Sequence, residues 1–328
     1  MWTAFVTGCS TGFGHAVARK LLQGGHRVAA SSTTRGPWVD ALGGLGGDLL
    51  PLALDVRSDA AVADAVGQAL AWGEVDVLVN NAGRGFFASQ EEGSLDTFRD
   101  LLDVNVLGPA RLTRALLPSL RRTRGTVVQL SSVAGHTVFP ESGFYAATKH
   151  ALEAMSEALV QEVGPHGVRV RLIEPGQFDT CFQVNAANAS PVMGDDSPYT
   201  GQRPTWRARR HDVLEPPQDP ERVADAIVAA LEDPAPFRRI PVGPDAERIL
   251  ALRRELGPEA WGRLSADRNG LDDPHRRPGE VLSPREVLAL PPESDALGPT
   301  CAAVGLGHLR HWAEDDLGRK ALAHLGLR

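Results

Sequence analysis

The feature that most limits what this chain can fold into is a rhythm. Apolar runs of strand length alternate with stretches of helical period over most of its 328 residues. The strand-like runs are TAFVT (3–7), RVAAS (27–31), LLPLAL (49–54), VDVLVN (75–80), TVVQLS (126–131), VRVRLI (168–173) and RRIPV (238–242). Most are continuously apolar rather than alternating, the pattern of strands covered on both faces in a parallel sheet. Between them, Ser58 precedes DAAVADAVGQAL as an N-cap. Asp219-Pro220-Glu221 opens ERVADAIVAAL with a cap, a proline at the first position and an acid. Such alternation builds βαβ units and predicts an α/β fold, a doubly wound parallel sheet with helices on both faces. One domain over residues 1–250 accounts for all of it.

Two regions break the rhythm. Residues 177–218, rich in Asn, Pro, Gly and Arg, directly follow a strand, and insertions of that length are more often functional lids than accidents. A substrate lid is expected there, with Met193 and Trp206 contributing. Residues 251–328 form a C-terminal extension, Pro-rich from 274. In it Ser283-Pro284-Arg285-Glu286 reads as a capping box, and Leu309, Trp312, Ala313, Leu317 and Ala321 share one helical face. A helical arm packed on the core or on a neighbouring subunit is expected.

Composition excludes some partners. A formal charge of −7 argues against a nucleic acid or an anionic membrane, because both call for a basic surface. No apolar run reaches the roughly 18 residues of a membrane span. The given sequence begins almost at once with a strand-like run, so no signal peptide is expected. Cys9, Cys181 and Cys301 are odd in number and far apart, which fits reduced thiols in a cytoplasmic protein. No His, Cys, Asp and Glu residues stand at ligand spacing, so no metal is expected.

The chemistry-bearing motifs fall at defined places in the rhythm. The first strand runs straight into TGCSTGFG, placing Gly8, Gly12 and Gly14 where strand becomes helix. A tight turn and close backbone approach to a phosphate are needed at that place in a dinucleotide-binding, Rossmann-type fold. Farther on, FYAATKHALEAM holds one of two tyrosines and one of three lysines, Tyr145 and Lys149, four residues apart. Chance supplies such a pair with a probability of roughly 0.02. A free tyrosine has a pKa of about 10. An ammonium one helical turn away on the same face favours its ionised form and suits it to acid–base work near neutrality.

Taken together, Thr7-Gly8-x-x-x-Gly12-x-Gly14, Asn80-Asn81-Ala82-Gly83, Asn105, Ser132, Tyr145-x-x-x-Lys149 and Pro175-Gly176 resemble the short-chain dehydrogenase/reductase family, its compact single-domain branch rather than the extended epimerase branch. The likeness covers about residues 1–250. It implies a seven-stranded sheet, a nicotinamide cofactor and a homo-oligomer, dimer or tetramer. It also implies roles. Tyr145 is the general acid/base, and Lys149 lowers its pKa and binds the nicotinamide ribose. Ser132, thirteen residues before Tyr145, orients the carbonyl. Asn105, in mid-helix, supports through its backbone a water in a proton relay. Ser131 is one residue off that spacing and is expected to face the cofactor side. His136 and His150 are expected to be solvated or capping.

For the cofactor the resemblance implies contacts from Gly8, Ser10, Thr11, Gly12, Phe13 and Gly14 at the turn. Asp55 and Val56 would hold the adenine, and Asn81, Ala82 and Gly83 would lie along it. Tyr145, Lys149, Pro175, Gly176 and Thr180 complete the set, Thr180 at the carboxamide. After the second strand, relatives that use NAD place an acid for the adenosine ribose. Here the neighbourhood reads Ser31-Ser32-Thr33-Thr34-Arg35, with no carboxylate. Hydroxyls of Ser32 and Thr33 with the Arg35 guanidinium match a 2′-phosphate, so NADP(H) is preferred over NAD(H).

Phe86, Phe87, Phe139, Phe144, Gln177, Phe178 and Phe182 are expected around the reacting centre. An apolar pocket of that kind suits a ketone or secondary alcohol on a hydrophobic small molecule. The leading expectation is an NADP(H)-dependent carbonyl reductase or alcohol dehydrogenase. A non-redox dehydratase or cyclase on the same fold and an NADP-binding redox sensor are the alternatives, though a sensor needs no acid–base set.

Overall fold

The computed structural model describes residues 1–191, 197–203 and 216–268. Met193, Trp206, Cys301 and the expected helices near 283 and 309–321 lie outside the described residues. Seven strands form one sheet in which every neighbouring pair is parallel: β1 (Thr3–Thr7), β2 (Arg27–Ser32), β3 (Leu49–Ala53), β4 (Val77–Asn80), β5 (Thr126–Leu130), β6 (Arg169–Pro175) and β7 (Phe237–Val242). Their order is β3-β2-β1-β4-β5-β6-β7. The doubly wound sheet read from the sequence is therefore present, with its strands in the expected places.

The helices of this sheet are α1 (Gly12–Gln23), α2 (Pro37–Leu42), α3 (Asp59–Trp72), α4 (Leu95–Leu102), α5 (Gly108–Thr123), α6 (Gly143–Val163), α7 (Phe182–Ala189) and α8 (Glu221–Glu232). Strand side chains alternate between faces with period two. Ala4, Val6, Val28, Ala30, Val77, Val79, Val128 and Leu130 pack with α1, α2 and α8. Phe5, Ala29, Leu78 and Val127 pack on the other side with α3 and α5. Both faces are apolar because both are covered, which is why the strands read as unbroken apolar runs.

Local signals behave as their chemistry requires. Ser58 caps α3 by accepting from Ala61 N at 3.2 Å. Asp219 Oδ1 accepts from Glu221 N at 2.9 Å, and Pro220 already has helical backbone angles. Helices α4 and α5 are joined by one π turn, Asp103–Leu107, which contains Asn105. Single π turns recur at functional sites because they re-aim one side chain. Arg171 is fully buried in β6, and its guanidinium donates to the carbonyls of Ala230, Val170 and Asp233.

The chain divides into two compact units, Met1–Pro191 with Pro217–Val242, and Val192–Pro216 with Gly243–Arg328. The first holds the sheet. In the second, helix α9 (Pro244–Arg268) is interrupted at Gly257, whose φ of 71° and ψ of 173° are not helical. Among the described residues, no helix is long and apolar enough to cross a membrane.

In an open parallel sheet, ligands bind beyond the carboxyl ends of the strands where the winding reverses. Here that point lies between β1 and β4, next to the glycine turn.

Candidate active site

Gly8 and Gly12 adopt φ of 72° and 59°, the left-handed region open to glycine without strain. They carry the chain from β1 into α1 in four residues. Thr11 enters the helix without a side-chain cap bond, so the N–H groups of the first turn keep their donors. Gly14 fixes how tightly the turn closes. A Cβ there would stand 2.4 Å from both Asn81 Nδ2 and Gly8 O. Asn81 Nδ2 in turn donates to Thr7 O at 2.7 Å, and Thr7 Oγ1 accepts from Asn81 N and Ala82 N at 2.9 Å each. The glycine turn and the Asn-Ala-Gly segment are thus one hydrogen-bonded unit. Ser10 and Thr11 are exposed on it.

A nicotinamide dinucleotide fits this turn. The backbone leaves the space that a Cβ would fill, and an uncapped helix N-terminus faces it, the arrangement that receives a pyrophosphate. Thr180 completes the rim, since a Cβ on Gly12 would lie 3.5 Å from its Cγ2. Beyond β2, Ser32 is buried while Thr33 and Arg35 are exposed. Arg35 Nη2 donates to Pro51 O at 2.9 Å, which anchors one arm of the guanidinium beside β3. Asp55 is clasped by Arg57, with Nη2 at 2.7 Å, and that hydrogen bond holds its carboxyl below the usual range. Val56 is buried against α5, where a Cβ on Gly108 would meet it at 2.8 Å.

The expected reacting groups converge on the first turns of α6. Lys149 Nζ donates to Leu130 O at the end of β5 at 2.6 Å and lies 5.8 Å from the centre of the Tyr145 ring. It is buried, and burial pushes its pKa down to about 8, with the Glu153 carboxylate opposing the fall. Two residues past Leu130, Ser132 starts a short 3-10 turn, and its Oγ accepts from Ala134 N at 3.1 Å. Asn105 joins this group through its side chain. It accepts from Arg84 N at 2.8 Å and donates to Arg84 O at 2.9 Å and to Thr148 Oγ1 at 3.0 Å. Thr148 Oγ1 donates to Tyr145 O at 2.7 Å. Gly83 lies between them: its Cβ would be 3.4 Å from Asn105 Oδ1 and 4.0 Å from Lys149 Nζ.

The phenylalanines divide into two groups. Phe182, at the start of α7, places its ring 5.4 Å from that of Tyr145, and Ser190 at the helix end accepts from Phe87 N at 2.8 Å. Gly85 makes room for this helix, since a Cβ there would come 2.7 Å from Phe182 Cζ. Phe178 is instead buried edge-on against Phe13, with ring centres 5.3 Å apart. Phe86 is buried, and Phe144 stacks between it and Phe98, at 6.3 and 4.5 Å. Phe139 belongs to the turn before α6, where its N donates to Ser142 Oγ at 3.1 Å. Gln177 and Phe178 run beside Gln218, whose N donates to Gln177 O at 3.1 Å. Pro175 is buried, and Gly176 N donates to Val242 O at 3.0 Å.

One expectation needs correction. Ser131 turns away from the cofactor side, because its buried Oγ packs under Gly135 toward Glu153. His136 closes the 3-10 turn as its cap, its N donating to Val133 O at 3.0 Å, and its half-buried ring also brings Nε2 to 3.0 Å from Glu174 Oε1. With Glu153 these residues bring three possible ligand atoms within 4.8 Å of one another, a grouping drawn from residues too far apart for any spacing rule. Arg239 Nε already stands 3.1 and 3.4 Å from the two carboxylates. One sequence signal for this cluster existed: Glu153 follows Lys149 by the same four residues that separate Lys149 from Tyr145.

Comparison with known proteins shows the family. The short chain dehydrogenase family model matches residues 2–190. A 3-ketodihydrosphingosine reductase of Bacteroides thetaiotaomicron is 32% identical over 77% of this chain and 92% of its own length. The human 17-beta-hydroxysteroid dehydrogenase type 1 is 32% identical over 97% of this chain and 94% of its own. An alcohol dehydrogenase from the archaeon Thermococcus sibiricus, solved with 5-hydroxy-NADP, superposes with a TM-score of 0.61 at 28% identity, covering 74% of this chain and 95% of that one. The fold, the glycine turn and these relatives together make the chain a member of the short-chain dehydrogenase/reductase family, an oxidoreductase that acts on CH–OH and C=O groups with a nicotinamide cofactor.

Proposed function

We propose that this enzyme reduces a ketone on a hydrophobic small molecule, or oxidises the matching secondary alcohol, with NADP(H). The observation that carries the reading is the meeting of Tyr145, Lys149 and the Ser132 turn where β5 ends, beside the glycine turn. When bound, the nicotinamide gives or takes the hydride. The side chains handle the oxygen. Ser132 Oγ accepts from Ala134 N, which leaves its O–H proton to donate to the substrate carbonyl and hold it toward Tyr145. The Tyr145 hydroxyl then gives its proton to that oxygen as the alcohol forms. Lys149 favours the tyrosinate left behind and binds the nicotinamide ribose. Asn105, through Thr148 and the backbone of α6, supports the path by which the proton is replaced.

NADP(H) is favoured by the stretch after β2. Ser32, Thr33 and Arg35 offer donors to a 2′-phosphate, and no carboxylate follows the strand to repel it. The hydrophobic substrate is favoured by the Phe182 ring over Tyr145 and by Phe87 at the docking point of α7. The skeletons handled by the sphingoid and steroid relatives are of that class. A cytoplasmic enzyme working as a dimer or tetramer completes the reading. Incubation with a panel of hydrophobic ketones tests it: absorbance at 340 nm should fall with NADPH and much more slowly with NADH. No loss with any ketone, alongside tight NADPH binding, would contradict it.

A further inference from the structure

Four side chains from separate parts of the fold meet directly behind the Ser132 turn. Glu153 comes from α6, one turn past Lys149. Glu174 is the last residue but one of β6, Arg239 lies on β7, and His136 ends the turn that Ser132 begins. Arg239 Nε stands 3.1 Å from Glu153 Oε2 and 3.4 Å from Glu174 Oε1, and its Nη2 lies 2.6 Å from Glu157 Oε1. His136 Nε2 lies 3.0 Å from Glu174 Oε1 and 3.6 Å from Glu153 Oε2. Glu153 and Glu174 are 5% and 2% exposed, and carboxylates this deep persist only when paired. Arg239 supplies the fixed positive charge between them, in the place a divalent cation would otherwise need.

The second oxygen of Glu153 has a different neighbour. Glu153 Oε1 and Ser131 Oγ are both buried and lie side by side beneath Gly135; burial raises the Glu153 pKa, and the Ser131 hydroxyl opposes that rise. Gly135 allows the approach, since a Cβ there would stand 2.8 Å from Ser131 Oγ and 2.9 Å from Glu153 Cγ. The turn from Ser131 to His136 is therefore gripped at both ends, by Glu153 at its start and by Glu174 at its finish. Lys149 holds the residue before it, Leu130. Ser132 lies inside that grip.

We propose that Glu153, braced by Arg239 and Glu174, is a positioning residue: it fixes the turn 131–136 against α6 and so sets the Ser132 hydroxyl relative to Tyr145. The inference rests on the reading of Ser132 and Tyr145 given above. A residue that merely stabilised the fold would weaken the enzyme whatever stood at 132. A positioning residue acts through Ser132, and its effect disappears when there is no hydroxyl left to place.

A double-mutant cycle separates the two. Glu153→Gln keeps the shape but loosens the hold of Arg239 and His136. Assayed well below pH 8, where Lys149 keeps its charge with or without Glu153, it should lower kcat for ketone reduction in the otherwise intact enzyme by about 10- to 100-fold with the NADPH dissociation constant unchanged. In a Ser132→Ala background the same change should cost less than about threefold. Equal losses in both backgrounds would overturn the proposal. Should Glu153→Gln fail to fold, Ser131→Ala cuts the same contact from the other side and must show the same coupling to Ser132. A Ser132→Ala enzyme with full kcat would defeat the reading of the site itself. A large Ser132→Ala loss without coupling would defeat the role of Glu153 alone.

Discussion

Lys149 Nζ lies 5.8 Å from the centre of the Tyr145 ring while donating a 2.6 Å hydrogen bond to Leu130 O. One helix supplies both side chains, and the end of one strand orients the ammonium. The strand end also leads, two residues later, to Ser132, so the proposed acid, its proposed tuning charge and the proposed carbonyl donor share a single junction between α6 and β5.

The charge on Lys149 sets a pH limit. Burial pushes its pKa down to about 8, so the ammonium is present below that pH and is lost as pH rises through it. Reduction needs both this ammonium and a protonated Tyr145, and both disappear in the same direction. The value of kcat/KM for ketone reduction should therefore decline above about pH 8. Because the Glu153 carboxylate opposes the fall in the Lys149 pKa, Glu153→Gln should move this limb to lower pH. A flat profile to pH 10 would contradict the assignment, on a rough scale of a tenfold loss per unit of pH past the limb.

Arg35 should decide between the two nicotinamide cofactors. Its guanidinium is exposed beside Ser32 and Thr33 and held by Pro51 O. A charge-assisted contact to a phosphate is worth about 1.5–3 kcal/mol, so Arg35→Ala should raise KM for NADPH by about 10- to 100-fold. KM for NADH should stay nearly the same. Steady-state kinetics with each cofactor measures the split, and an equal change for both would remove Arg35 from cofactor choice.

Gly14 tests the seat itself. A methyl group there would enter within 2.4 Å of Gly8 O and Asn81 Nδ2, atoms fixed by the Thr7 hydrogen bonds. Overpacking of this kind costs about 1–3 kcal/mol. Gly14→Ala should lower the melting temperature and weaken NADPH binding together. Gly67→Ala, where a Cβ meets nothing within 4 Å, is the control and should do neither.

Much of this was legible in the sequence, for physical reasons. Strands covered on both faces are mostly apolar, so β1, β2, β4 and β5 announced themselves. The glycine turn, the Asn-Ala-Gly segment and the Tyr145–Lys149 pair are local, each fixed by spacing within one turn or one helix. What stayed hidden is tertiary. His136, Glu153, Glu174 and Arg239 come from four elements, and no spacing rule joins residues that only folding brings together. Whether a phenylalanine fills a core or faces a ligand is equally non-local, which is why Phe178 and Phe182, four residues apart, have different surroundings. Asn105 was visible in mid-helix, but not the π turn that holds it or its clamp on Arg84.

The central claim is that Tyr145 gives the proton to the substrate oxygen. Turnover of a hydrophobic ketone by Tyr145→Phe, measured beside its NADPH dissociation constant, tests that claim most directly. Loss of a general acid should cut kcat by about 10²- to 10⁴-fold and leave cofactor affinity unchanged. A Tyr145→Phe enzyme that reduces the ketone at the parent rate would contradict it.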